Sequence, residues 1–116
     1  MNKYFSLAAI VAAIFLSANC SSSKKTMALA MPKLNYETNL QAIVISNCSP
    51  CHIPAKGGNK KPYDNFANVK TDIDEIIRRI ELAPAERGFM PFKHDKLNDS
   101  TIAVFKQWRA EGLLEK

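Results

Sequence analysis

Hydrophobic residues recur with the 3.6-residue period of an α-helix in three stretches of the chain, at about 37–47, 71–83 and 99–111. The middle stretch is the clearest, because its four isoleucines are spaced i, i+3, i+4, i+7 and fall on one stripe. The apolar positions are Leu40, Ile43 and Val44, then Ile73, Ile76, Ile77 and Ile80, then Ile102, Phe105 and Trp108. No alternating pattern is long enough for a strand, so the sequence predicts an all-α domain.

Polar and helix-breaking residues mark the predicted helix ends. Thr71 is predicted to cap the second helix, with Asp74 as its capping-box partner, and Pro84 to end it. Asn98 is the predicted N-cap of the third helix and Gly112 its terminator.

The segments between the helices are rich in proline, glycine and lysine. Residues 53–62 and 84–96 are therefore predicted to be irregular. A short helical turn is predicted within 64–70.

Residues 1–19 have the pattern of a secretory signal peptide. Lys3 supplies a positive charge, and residues 4–18 contain no charged side chain. This apolar run is shorter than the roughly 20 residues of a membrane-spanning helix, which favours an export signal. We therefore expect a bacterial protein that is exported, either to the periplasm or as a membrane-anchored lipoprotein.

Cys20 is the predicted site of lipid attachment. Residues 16–20 resemble a lipobox, although Leu16 lies one position early and Asn19 replaces the usual small residue. Residues 20–34 are then a flexible tether, and 35–116 form the folded domain. Two alternatives stay open: cleavage after the small residues at 28–30, or an inert Cys20 beside a cut near Ala18.

The motif Cys48-Ser49-Pro50-Cys51-His52 carries the chemistry of the chain. Two thiols three positions apart on a helical turn can each add to one vinyl group of the same porphyrin. The histidine that follows then falls under the ring centre, where its imidazole can bind iron. This is the sequence typical of c-type haem attachment, so Cys48 and Cys51 are predicted to hold one covalent haem c, and His52 to be an axial ligand.

Three other interpretations of the motif fit the sequence less well. A zinc site needs four ligands, and few Cys or His remain outside the motif. A thioredoxin-like redox pair needs a βαβ context. A disulfide between Cys48 and Cys51 would close a very small loop and add little stability.

Met90 is the predicted second axial ligand, in the segment Phe89-Met90-Pro91-Phe92. A thioether is a soft ligand that suits haem iron and raises its reduction potential, and Pro91 stiffens the loop that presents the sulfur. The alternatives are that Met90 fills a gap in the core, or that His94 binds the iron instead.

Charge adds little to this picture. The net charge of +5 is mild, and no helix face interleaves basic and aromatic residues, so nucleic acid is not an expected partner. Lys56, Lys60 and Lys61 follow the motif and either steer an acidic partner protein or form an ordinary solvated loop.

From about Tyr36 to the C-terminus, the chain resembles the short bacterial class I cytochromes c. The residues that carry the resemblance are Cys48, Cys51, His52, the pair Met90-Pro91, and the last helix with Trp108. The resemblance implies three to four helices and loops around one covalently bound haem, with the first and last helices crossing. It also implies that a proline carbonyl, of Pro54 or Pro62, accepts the Nδ1–H of His52.

The function expected from these features is electron transfer with redox partner proteins, by a haem iron with His52 and Met90 as axial ligands, and not enzymatic catalysis. A lipid on Cys20 would provide membrane attachment. The alternative is a ligand-binding or peroxidase-like haem protein with an open or displaceable distal position. Arg87 and His94 flank Met90 in sequence, which gives that alternative only weak support.

Overall fold

The computed structural model describes residues 31–116, and this part of the chain is helical. It contains four α-helices, namely α1 (Gln41–Cys48), α2 (Phe66–Thr71), α3 (Ile73–Glu81) and α4 (Asp99–Ala110). A π-helical turn, Tyr36–Leu40, leads directly into α1, and a 3₁₀ turn, Pro54–Lys56, lies in the loop that follows it. No strand occurs in residues 31–116, so the predicted all-α class is confirmed for this part.

The predicted signal peptide (1–19), Cys20 and the tether up to residue 30 lie outside the described residues. At the end of the predicted tether, the backbone N–H of Leu34 donates to the Glu111 carboxylate at 2.6 Å, and the Leu34 side chain packs against the core. Within 31–116, no helix has the length and apolar character needed to cross a membrane.

The core lies between the turn 36–40, α3 and α4. All ten residues of the predicted apolar stripes except Ile43, which is half-buried, are buried. Tyr36, Phe66 and Trp108 form an aromatic cluster, with ring centroids 5.8 to 6.2 Å apart. Aromatic packing therefore joins the chain segment before α1 to α2 and α4.

Backbone hydrogen bonds join the two ends of the domain. The N–H groups of Tyr36 and Glu37 donate to the carbonyls of Leu114 and Glu115 at 2.9 and 3.1 Å. The Trp108 indole N–H donates to the same Leu114 carbonyl at 2.8 Å. These three hydrogen bonds fix α1 and α4 relative to each other. The loops between the two helices form the site.

The predicted N-cap of α4 is confirmed, whereas the predicted capping box of Thr71 and Asp74 at the start of α3 is wrong. Asn98 caps α4 by accepting the Thr101 N–H at 2.8 Å. Thr71, however, does not cap α3; it is the last residue of α2, and its hydroxyl donates to the Ala67 carbonyl at 2.8 Å. The reason is that α2 runs almost directly into α3, so Thr71 lies inside helical backbone.

Candidate functional site

One cavity of about 700 Å³ opens among α1, α3, α4 and two loops, 49–65 and 82–98. That volume is typical of pockets that bind small molecules and cofactors. Ile76, Ile80 and Phe105 line its apolar wall. The predicted site residues Cys48, Cys51, His52 and Met90 all line this same cavity, although they are up to 42 positions apart in sequence.

The two motif thiols differ in environment because Cys48 ends α1 and Cys51 lies in the turn beyond it. Both thiols are free. Cys48 is half-buried, and burial raises the pKa of its thiol to about 11, whereas Cys51 is exposed. At neutral pH the Cys48 thiol is therefore protonated.

The His52 ring is oriented by a backbone carbonyl. Its Nδ1 lies 2.6 Å from the carbonyl oxygen of Lys61, and because a carbonyl only accepts, Nδ1 carries the proton. The expectation of a Pro54 or Pro62 carbonyl is wrong: the acceptor belongs to Lys61, the residue before Pro62. Nε2 makes no hydrogen bond within residues 31–116 and is the nitrogen left to bind a metal.

The loop after the motif doubles back to provide this acceptor. The N–H of Lys60 donates to the Cys51 carbonyl at 3.0 Å, and the N–H of Tyr63 to the His52 carbonyl at 2.8 Å. Gly58 makes the close approach possible, since a Cβ there would lie 2.6 Å from the Cys51 oxygen and nearer still to that of Pro50.

Tyr63 and Asp72, which the sequence did not single out as site residues, complete the surroundings of His52. The Tyr63 ring stacks on the imidazole, with centroids 4.6 Å apart and planes 15° apart. Its hydroxyl donates to Asp72 at 3.0 Å, and the Lys61 ammonium pairs with the other Asp72 oxygen at 2.5 Å. No local pattern announces this network, because the three residues come from a loop and from the junction before α3.

These contacts shift the two acids of the network in opposite directions. The hydrogen bond from Lys61, supported by that from Tyr63, lowers the pKa of Asp72. Burial and the bond to Asp72 raise the pKa of the Tyr63 phenol above its usual range. Asp72 is therefore a carboxylate and Tyr63 a neutral donor at neutral pH.

Met90 reaches the cavity from the loop between α3 and α4. It is half-buried beside the buried Phe89, while Phe92 on the cavity rim is 62% exposed. The backbone N–H of Met90 donates to the Arg79 carbonyl at 3.3 Å, which ties the loop to the last turn of α3. His94 also lines the cavity and is exposed, so both candidate second ligands, Met90 and His94, border the same cavity.

The donor groups present suit a porphyrin better than a bare metal ion. Within residues 31–116, no group of three or more Cys, His, Asp or Glu side chains is arranged to hold a metal, whereas structural zinc takes four such ligands. Two thiols on the cavity wall, one oriented imidazole and a thioether match the donor set of a covalently attached haem. No protein-family model, curated protein or solved structure matches the chain.

Proposed function

We propose that this protein is an electron carrier of the class I cytochrome c type, with one haem c attached at Cys48 and Cys51. His52 and Met90 would be its axial ligands. The observation that supports this most strongly is that all four residues line one cavity of about 700 Å³. The bond between His52 Nδ1 and the Lys61 carbonyl leaves the other ring nitrogen for iron.

The chain's own residues supply what such a cofactor needs. When bound, haem provides an iron that accepts and releases one electron, and the protein tunes its potential. The Lys61 carbonyl fixes the ring orientation of His52 and increases its basicity as a ligand. Ile76, Ile80 and Phe105 give the cavity an apolar wall, and a thioether at Met90 would favour the reduced state.

We propose an electron carrier and not an enzyme. If His52 and Met90 occupy both axial positions, no substrate reaches the metal, and the partners are other redox proteins. We also propose, from the sequence alone, that the protein is exported and attached to a membrane through a lipid on Cys20.

Covalent haem attachment is tested by expressing the full chain together with a haem-maturation system. Haem should remain with the protein in acidified organic solvent. It should become extractable in the double variant Cys48→Ala/Cys51→Ala, which has no thiol to form the thioethers. Haem that extracts from the wild type would contradict the proposal.

Axial ligation is tested on the same preparation. Oxidised wild type should show the weak far-red sulfur-to-iron band, lost in Met90→Ala and retained in His94→Ala. A band absent from the wild type, together with ready binding of carbon monoxide by the ferrous protein, would instead favour the ligand-binding alternative with a displaceable distal position.

Lipid attachment needs a separate measurement. Metabolic labelling with a fatty-acid analogue should mark the wild type and Cys48→Ala but leave Cys20→Ala unlabelled. Wild type without label would contradict the membrane tether.

A further inference from the structure

Helix α3 contacts both of the loops that present the proposed axial ligands. Asp72 directly precedes its first residue and reaches the loop that holds His52. Arg79 lies in its last turn and reaches the loop that carries Met90. Asp72 and Arg79 also line the cavity, so neither contact is remote from the site.

The Asp72 end acts on His52 through two intermediaries. Its carboxylate accepts a hydrogen bond from the Tyr63 hydroxyl and pairs with the Lys61 ammonium. Tyr63 stacks on the imidazole, and Lys61 provides the carbonyl that binds Nδ1. One side chain, 14% exposed, thus holds both residues that orient the ring.

The Arg79 end acts on Met90 through backbone groups. The Arg79 carbonyl accepts the Met90 N–H, and its guanidinium Nη1 donates to the Gly88 carbonyl, both at 3.3 Å. Glu75, one turn earlier, accepts the Arg79 Nε–H at 2.6 Å and so fixes the direction of the guanidinium. Two attachments therefore bracket the segment 88–90.

Between Asp72 and Arg79, helix α3 is packed into the hydrophobic core. Ile73, Ile76, Ile77 and Ile80 are all buried, and a well-packed interior resists displacement. A contact at either end therefore fixes the adjacent loop against a rigid element.

We propose that α3 is the positioning element for both axial ligands, with Asp72 setting the His52 side and Arg79 setting the Met90 side. The proposal rests on the proposed function. Asp72 and Arg79 are positioning residues and need not touch the haem. Because they lie at opposite ends of a rigid helix, substitution of one should disturb one ligand and spare the other.

The Arg79 arm has a matched control in its neighbour. Arg78 also pairs with Glu75, at 2.7 and 2.8 Å, but makes no hydrogen bond to Gly88. In the full-length haem-loaded protein, Arg79→Gln should weaken the far-red band and raise carbon monoxide affinity of the ferrous form about tenfold, the scale of one lost charged hydrogen bond. Arg78→Gln should leave both unchanged, and Arg79→Lys should restore part of the band.

The Asp72 arm is compared with Asp74, which is 81% exposed and pairs with Arg109 at 2.8 Å. Asp72→Ala should speed solvent exchange of the His52 Nδ1–H, measured by NMR, about tenfold while retaining the far-red band. Asp72→Asn keeps an acceptor for Tyr63, so its exchange rate should lie between those of the wild type and Asp72→Ala. Asp74→Ala should match the wild type in both measurements.

The outcomes separate the two proposals. Wild type without covalent haem overturns the proposed function and this inference with it. Wild type with haem and the far-red band, but with Arg79→Gln matching Arg78→Gln or Asp72→Ala matching Asp74→Ala, overturns the inference alone. Equal disturbance of both ligands by either substitution also overturns it. If Arg79→Gln or Asp72→Ala does not fold, Arg79→Lys and Asp72→Asn decide by the same comparison.

Discussion

The imidazole Nδ1 of His52 and the carbonyl oxygen of Lys61 lie 2.6 Å apart. This contact couples the motif to a loop nine residues further along the chain. Because Lys61 contributes its backbone and not its side chain, the contact depends on the path of the loop.

This contact predicts the tautomer of His52. In the chain expressed without haem and labelled with ¹⁵N-histidine, neutral His52 should carry its proton on Nδ1, since only a donor can bind the carbonyl. Two-bond ¹⁵N–¹H NMR correlations distinguish the tautomers, and His94, which makes no ring hydrogen bond within residues 31–116, provides the comparison. A proton on Nε2 of His52 would contradict the prediction.

Gly58→Ala should destabilise the domain. The new Cβ would lie 2.6 Å from the Cys51 carbonyl oxygen, so the loop or the motif must move, at about 1–3 kcal/mol. Urea unfolding measures the loss. Gly57→Asn is the control, because Gly57 (φ +83°) has open space around it and Asn tolerates that conformation. Equal effects at both positions would show that close approach to Cys51 is not the cause.

Tyr36 and Trp108 should respond in opposite ways to replacement by phenylalanine. The buried Tyr36 hydroxyl has no hydrogen-bond partner within residues 31–116, so Tyr36→Phe should be neutral or stabilise by up to about 1 kcal/mol. Trp108 is fully buried and donates to Leu114, so Trp108→Phe should cost about 1–3 kcal/mol.

Free energies of unfolding in urea test this pair. Stability lost on Tyr36→Phe would show that its hydroxyl has a partner in solution. An unchanged free energy of unfolding for Trp108→Phe would show that the hydrogen bond from Trp108 to the Leu114 carbonyl contributes little to stability.

Glu75 should contribute to the loss of stability in acid. Hydrogen bonds from Arg78 and Arg79 lower the pKa of Glu75 from 4.5 to about 2. A carboxylate with a lowered pKa in the folded state stabilises it above the unfolded pKa, and that contribution is lost as pH falls through the folded value. Wild type should therefore lose part of its stability between about pH 4.5 and about pH 2.

Unfolding measured across this range should show a smaller loss for Glu75→Gln. Glu115→Gln is the control, because the Glu115 carboxylate makes no ion pair within residues 31–116. High salt should shrink the difference in stability loss between wild type and Glu75→Gln, since the ion pairs of Glu75 with Arg78 and Arg79 are exposed. Parallel curves for Glu75→Gln and wild type would contradict the prediction.

Local sequence predicted much of the fold. The four isoleucines of α3 share one face because their spacing matches the helical period, and they are buried as that spacing requires. Asn98 was identifiable as a cap because its side chain acts on backbone only three residues away. Thr71 was misassigned because a capping pattern does not reveal that another helix already ends there.

The candidate site divides in the same way. The spacing of Cys48, Cys51 and His52 is a local chemical signature, so the sequence by itself predicted that part, along with Met90 as a candidate, and all four residues line one cavity. The Lys61 acceptor, the stacking of Tyr63, and the contacts of Asp72 and Arg79 with the two loops were decided only by tertiary structure. These contacts join residues 9 to 11 positions apart across loops, where no fixed period relates sequence spacing to distance in space.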